Sequence, residues 1–212
     1  MTLPPAEQPK PPEAATPEEI IVPKNIIRPF ARGLFQMATE PLDQIRSLIS
    51  SLPTGLSQQE QEQVDEIKSA PQSIISTLEA LRTAREVKVS VKSDQHYEIE
   101  YSEEKEEEEI PREGQILVDK STAHPLVIAT FDRLGNYCAR LMYAELLHSR
   151  GTSEELREKM GLIDSEAKKL GSIWSPLSSI EASADAQLKI STDGEGNTTI
   201  EPIQSPITPS TP

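Results

Sequence analysis

A narrow apolar stripe runs along residues 156–177, where large hydrophobic side chains recur at alternating steps of three and four. Its members are Leu156, Met160, Ile163, Ala167, Leu170, Trp174 and Leu177. This spacing is typical of a helix that presents a coiled-coil-like seam to another helix. Thr152, with Glu155 three residues later, forms a capping-box signal for the start of that helix.

A helix with such a seam needs a partner that covers it. We therefore predict that the chain associates with itself or with another protein through this stripe, and that Trp174 is a packed anchor residue. The predicted partner-binding residues of the stripe are Leu156, Met160, Ile163, Leu170, Trp174 and Leu177.

Residues 24–86 are predicted to form a helical hairpin. Apolar residues follow helical spacing in its first half, where Pro41 is expected to break the helix or to begin a second one. Ser57 and Glu60 form a capping-box signal for the helix in the second half. Pro71 lies on the apolar face of that helix and is expected to kink it.

The first predicted helix begins with a segment that is both basic and apolar, residues 24–37. Its basic residues are Lys24, Arg28 and Arg32, and its apolar residues are Ile26, Ile27, Phe30, Leu34 and Phe35. Three interpretations stay open. The segment packs on its own bundle, or it docks onto a partner protein through Phe30, Leu34 and Phe35. The third is binding at a membrane surface, to which three basic residues on an acidic chain give only weak attraction.

Two stretches switch to a period of two, which predicts β-strands. In residues 86–101 the apolar positions are Val87, Val89, Val91, Tyr97, Ile99 and Tyr101. This alternation predicts a β-hairpin whose lysines and glutamates pair across the other face. An isolated hairpin is marginal in water, so it is expected to pack on a helix or on a third strand at 115–118. A second short hairpin is predicted over 184–200, with Asp193 and Gly194 in its turn.

Together these elements predict a mainly α fold, an elongated helical bundle with coiled-coil-like helices and a small β-hairpin. A content of 35% hydrophobic and 4% aromatic residues does not favour a large core of the enzyme type. Prolines concentrated near both ends predict disordered Pro-rich termini. The predicted division of the chain is 1–23 disordered tail, 24–86 helical hairpin, 87–119 β-hairpin and acidic loop, 120–183 helical pair with the heptad-like helix, 184–200 short hairpin, and 201–212 disordered tail.

The net charge of −14 is unevenly distributed, and its distribution bears on the partner. Residues 86–119 contain twelve acidic and four basic residues, a net charge of −8. Nucleic acid is disfavoured as the main ligand, because phosphate binding needs a clustered positive surface. The acidic run Glu103–Glu109 is either a solvated loop or a docking strip for a basic protein surface. It lacks the Asp-rich loop and fixed glycine of a calcium site.

Candidate catalytic and metal-binding chemistry is sparse in this sequence. Cys138 is the single cysteine, and its place in a helix predicted over about 125–150 indicates a buried small hydrophobe. Glu145 and His148 have the spacing of a carboxylate–imidazole pair in di-iron bundles, but no second such pair accompanies them. We predict no catalytic residue, no metal site and no cofactor. No apolar run approaches the roughly 20 residues of a membrane span.

The expected function is that of a non-enzymatic helical interaction protein, a subunit of a larger protein complex. A viral or phage structural or assembly protein is the alternative, and a small helical enzyme or metal-binding bundle is a second alternative. The N-terminus lacks the basic and apolar regions of a signal peptide, so we expect a soluble cytoplasmic protein, with the nucleus or a virion left open. Self-association and association with another protein are both compatible with a cellular complex and with a viral or phage particle.

Overall fold

A computed structural model describes residues 19–91, 97–102, 113–149, 153–182 and 186–204. The helices are α1 Lys24–Ser50, α2 Gln58–Thr83, α3 Lys120–Leu141, α4 Tyr143–Ser149, α5 Glu154–Trp174 and α6 Ser179–Ala182, with a 3-10 turn at Ser175–Ser178. The strands are β1 Glu19–Pro23, β2 Glu86–Val91, β3 Tyr97–Tyr101, β4 Gly114–Val118, β5 Ala186–Thr192 and β6 Thr198–Gln204. The fold is α+β, with two three-stranded antiparallel sheets. The predicted mainly α elongated bundle with a small β-hairpin is therefore wrong.

The helices α1 and α2 pack against each other as the predicted helical hairpin. The capping box at the start of α2 is confirmed, because the backbone N of Ser57 donates to Glu60 Oε2 at 2.9 Å and the backbone N of Glu60 donates to Ser57 Oγ at 3.4 Å. Pro41 does not end α1, which continues as one 27-residue helix. Packing of the buried helix on its neighbours outweighs the lost backbone hydrogen bond of an internal proline.

The first sheet has the order β1-β2-β3, with β2 in the centre. The predicted pairing of β2 with β3 is confirmed, with Val87 opposite Tyr101 and Val89 opposite Ile99. Its third strand is β1, from residues that we assigned to the N-terminal tail, and not the segment 115–118. Five residues ending at a proline are too short a stretch to show a period of their own, so only pairing with β2 reveals this strand.

The second sheet has the order β4-β5-β6, with β5 in the centre. The second predicted hairpin is confirmed as β5 and β6, and β6 extends to residue 204, into the predicted C-terminal tail. In its turn, the carboxylate of Asp193 accepts hydrogen bonds from the backbone N of Glu195 at 2.9 Å and of Asn197 at 2.8 Å. β4 adds to this sheet, with Ile116 opposite Ile190.

The helix α1 contacts both sheets and thereby fixes where each of them lies. At its N-terminal end the buried Arg28 donates from Nε to the backbone carbonyl of Ala84 at 3.1 Å, just before β2. Further along, the amide of Gln36 accepts from the backbone N of Thr198 at 2.7 Å and donates to the carbonyl of Gly196 at 3.3 Å. These bonds satisfy polar groups that packing would otherwise leave unpaired.

Gly33 lets α1 and β6 approach each other closely. A Cβ atom at this position would lie 2.7 Å from Ile200 Cγ1, whereas a Cβ at Gly171 on α5 would meet no atom within 4 Å. We predict that Gly33→Ala lowers the free energy of unfolding by about 1–3 kcal/mol through overpacking. Gly171→Ala should raise it by roughly 0.5–1 kcal/mol through helix propensity. Urea unfolding of both variants measures this, and a Gly33→Ala variant as stable as Gly171→Ala would contradict the close approach.

Candidate interaction surfaces

The apolar stripe of α5 lies in the core of the chain itself. Its six predicted partner-binding residues are all buried, and α5 packs mainly against α1 and α4. The indole of Trp174 stacks on the ring of Phe131 in α3, with 6.1 Å between ring centroids and 24° between planes. The partner that the seam needs is thus supplied within one molecule. Association through these residues stays a prediction, and it would require α5 to leave this core.

Two leucines on α5 distinguish packing within the chain's own core from association with another molecule. Leu170 is fully buried, whereas Leu162 is 49% exposed. We expect Leu170→Ala to lower the free energy of unfolding by about 2–5 kcal/mol, as for other buried leucines. Leu162→Ala should change it by no more than about 0.5 kcal/mol. Denaturant unfolding and light scattering check this, and a Leu170→Ala variant that keeps its stability but loses apparent mass would instead show an intermolecular seam.

The N-terminal segment 24–37 forms the first turns of α1 and packs on its own fold. Phe30 and Leu34 are fully buried, and Phe35 is half-buried with the guanidinium of Arg82 5.1 Å from its ring centroid. Neither Phe30 nor Leu34 is on the surface, so neither is placed for the outward docking that the sequence left open. The spacing predicted the face correctly, but an apolar helix face looks the same whether its cover is internal or foreign.

The outer face of the first sheet is strongly acidic. The side chains on this face are Glu19 and Ile21 from β1, Glu86, Lys88 and Ser90 from β2, and Glu98 and Glu100 from β3. They include four carboxylates and a single ammonium group. In the strand register, Lys88 of β2 lies between Ile21 of β1 and Glu100 of β3. We call these seven residues the acidic face.

Lys88 is the centre of the acidic face. Its Nζ lies 3.0 Å from Glu19 Oε1. This hydrogen bond raises the pKa of Lys88, and the charges of Glu19, Glu86 and Glu100 raise it further. Beside this charge cluster, the side chain of Ile21 is 57% exposed. Lys88 lies opposite Glu100 as the hairpin pattern predicted, but its ion pair is with Glu19 of β1 and not with a residue of the predicted hairpin.

A groove lined by hydroxyl, amide and guanidinium side chains lies between α2, α3 and β3, with a volume of about 480 Å³. Its lining includes Gln72, Ser73 and Ser76 from α2, Tyr101 from β3, and Arg133 and Tyr137 from α3. Sequence reasoning missed this site, because its members come from three elements that are far apart along the chain. The charge of Arg133 and the hydroxyl groups around it can bind a polar ligand.

Cys138 lies half-buried on α3 and packs against the core. Burial raises the pKa of its thiol to about 11. The group is therefore protonated at neutral pH and is a poor nucleophile. Because the folded pKa exceeds the ordinary value of 9.0, the thiol stabilises the fold fully below about pH 9 and loses this contribution as the pH rises toward 11.

The raised pKa of Cys138 predicts slow alkylation of the folded chain. At pH 8 we expect iodoacetamide to modify Cys138 about a hundredfold more slowly in buffer than in concentrated urea, because the thiolate fraction is that much smaller. Mass spectrometry of timed samples measures both rates. Equal rates in buffer and urea would mean that the thiol is exposed and readily ionised.

Several sequence predictions fall on parts of the chain outside the described residues. These are residues 1–18 and 205–212 of the predicted disordered tails 1–23 and 201–212, the acidic run Glu103–Glu109, and the side chain of His148. Within the described ranges, no group of three or more His, Cys, Asp or Glu side chains is placed to hold a metal ion. No helix in that part of the chain has the length and apolar character needed to cross a membrane.

Comparison with known proteins found no match to a family model, to a curated protein or to a solved structure.

Proposed function

We propose that this protein is a non-enzymatic interaction subunit that binds a basic surface of a partner protein through the acidic face. The observation that carries this proposal is the excess of carboxylates around Lys88, beside the exposed side chain of Ile21. An interface commonly combines an apolar anchor with a charged rim that sets orientation and partner choice.

The charge of the acidic face favours a basic partner over other ligands. Its four carboxylates exceed its one ammonium group by three charges, and the chain as a whole has a net charge of −14. In the sequence, Glu103–Glu109 follows two positions after the end of β3 and adds six acidic residues and one lysine. A lysine- or arginine-rich protein surface complements this charge, whereas nucleic acid is repelled by it.

The apolar anchor is what distinguishes a docking face from a solvated one. Ile21 lies on the edge strand β1, opposite Lys88 and in the same row as Glu100. Burial of a side chain of this size contributes roughly 1.5–3 kcal/mol when it is fully covered. The carboxylates around it provide long-range attraction and correct orientation, which affect the association rate more than the affinity.

The charge component is tested with a synthetic octalysine peptide at low ionic strength. Glu86→Gln with Glu100→Gln should weaken binding roughly fivefold, as expected for the loss of two exposed ion pairs. The matched control, Glu66→Gln with Glu158→Gln, removes two exposed carboxylates from α2 and α5. It should weaken binding much less, and the difference should disappear at about 1 M salt. Calorimetry or fluorescence anisotropy gives the dissociation constants.

The partner itself is tested by affinity purification from the source of the protein. A genuine partner is recovered with the unaltered chain and with the control variant, and is lost with both the Glu86→Gln, Glu100→Gln variant and Ile21→Ser. Retention of every co-purifying protein by Ile21→Ser would remove the apolar anchor from the proposal. Equal octalysine binding by the two double variants would show that only the overall charge matters, and the acidic face would then not be the docking site.

A further inference from the structure

The arginine in the groove between α2, α3 and β3 is held in a fixed orientation by neutral groups. The Nη1 of Arg133 donates to the carbonyl of Ile99 at 3.2 Å, and Nη2 donates to the hydroxyl of Tyr101 at 3.1 Å. Its guanidinium carbon lies 5.1 Å from the centroid of the Tyr101 ring. Side-chain entropy is therefore already lost before any ligand binds, which lowers the cost of binding.

No carboxylate among the described residues lies within ion-pair distance of Arg133. The ion pairs of this part of the chain, such as Lys88 with Glu19 and Lys189 with Glu201, involve other side chains. In addition, its Nε is buried and has no hydrogen-bond partner among the same residues. Within the part of the chain that the structure describes, the partners of this guanidinium are a carbonyl, a hydroxyl and an aromatic face, and a guanidinium in such neutral surroundings attracts an anion.

The hydroxyl groups in the groove are arranged to donate hydrogen bonds. The hydroxyl of Tyr101 accepts from Arg133, so its own hydrogen remains for another acceptor. Ser76 Oγ accepts from Nε2 of Gln72 at 3.3 Å and likewise keeps its hydrogen. Tyr137 also lines the groove and carries a third hydroxyl group. One cation and three hydroxyl donors are a set of groups that binds an oxyanion.

We propose that this groove binds a small oxyanionic ligand, a molecule with one carboxylate or phosphate group. Arg133 supplies the positive charge, and Ser76, Tyr101 and Tyr137 donate hydrogen bonds to the anionic oxygens. The volume of about 480 Å³ is within the range of small-molecule sites. The site is separate from the acidic face, because β3 directs Tyr101 inward and Glu100 outward.

Titration of the full chain with inorganic phosphate, and separately with acetate, followed by two-dimensional amide NMR at constant ionic strength, tests this site. We expect saturable shifts at the amides of Ser76, Arg133 and Tyr137, with a dissociation constant on the order of millimolar for such small probes. Saturation by phosphate, acetate or both supports the site and identifies the preferred anion. Linear shifts with both probes would overturn the proposal.

Variants on α3 make the assignment specific. Arg133→Gln should abolish saturable binding, while Arg140→Gln should leave it unchanged. Arg140→Gln is a matched control because it removes the same charge two turns further along α3. Arg140 packs on Tyr137, 5.6 Å from the ring centroid, but does not line the groove. Binding that survives in Arg133→Gln, or that is equally lost in Arg140→Gln, would overturn the proposal.

Arg133→Gln also loses two hydrogen bonds to β3, so a second variant is needed if this one unfolds. Tyr137→Phe keeps the ring on which Arg140 packs and removes only the hydroxyl group. We expect it to weaken binding about tenfold, the effect of losing one hydrogen bond to a charged ligand, with unchanged thermal unfolding. A dissociation constant equal to that of the unaltered chain would exclude Tyr137 and, with it, the proposed site.

Discussion

Burial of α1 is the constraint on which the rest of the structure depends. This helix contacts α2 and α5 on its way through the molecule and meets strands of both sheets. Its buried residues extend from Ile27 to Ile45, so one face of the helix is covered along most of its length. The hydrophobic free energy of such a long contact is sufficient to hold two internal prolines, Pro29 and Pro41, in one continuous helix.

Polar contacts then determine how the two sheets sit on α1. Arg28 binds the carbonyl of Ala84 at the start of β2, and Gln36 binds the turn and first residue of β6. Apolar packing alone has little directionality, whereas a buried hydrogen bond costs free energy when its geometry is lost. Gly33 permits the close approach of α1 to β6, the strand whose first residue Gln36 binds.

The hairpin β2–β3 connects the core with both proposed binding surfaces. Successive residues of a strand point to opposite faces, so Glu100 belongs to the acidic face while Tyr101 supports Arg133 in the groove. The inner side of β3 rests on α3, which supplies Arg133. Each surface therefore depends on the same strand register, and a shift by one residue would exchange their side chains.

The charged side chains of the acidic face stay exposed because the first sheet packs on the core with its other face. Lys88 is held among Glu19, Glu86 and Glu100, which favours its charged form. Cys138, by contrast, faces the core and is held as a neutral thiol. Position relative to the core thus decides whether an ionisable group takes part in surface electrostatics or in packing.

The local elements follow largely from the sequence itself. The capping box at Ser57 and Glu60, the hairpin of β2 and β3, and the Asp193 turn between β5 and β6 are all specified by neighbouring residues. Periods of 3.6 and 2 show which face of an element is apolar, and turn residues show where it ends. The alternation of Lys88 with glutamates across the hairpin could be predicted in the same way.

Tertiary structure alone decided what covers each apolar face, and hence the fold class. The stripe around Leu170 has the same pattern in a coiled coil as in the core where it is buried. The strands β1 and β4 pair with β2 and β5, which lie more than 60 residues away, and no local pattern encodes such a pairing. The acidic face needed Ile21 from β1, and the groove needed Arg133 beside Tyr101. Local sequence determines the faces of an element, but the free energy of the whole packed chain selects which faces meet.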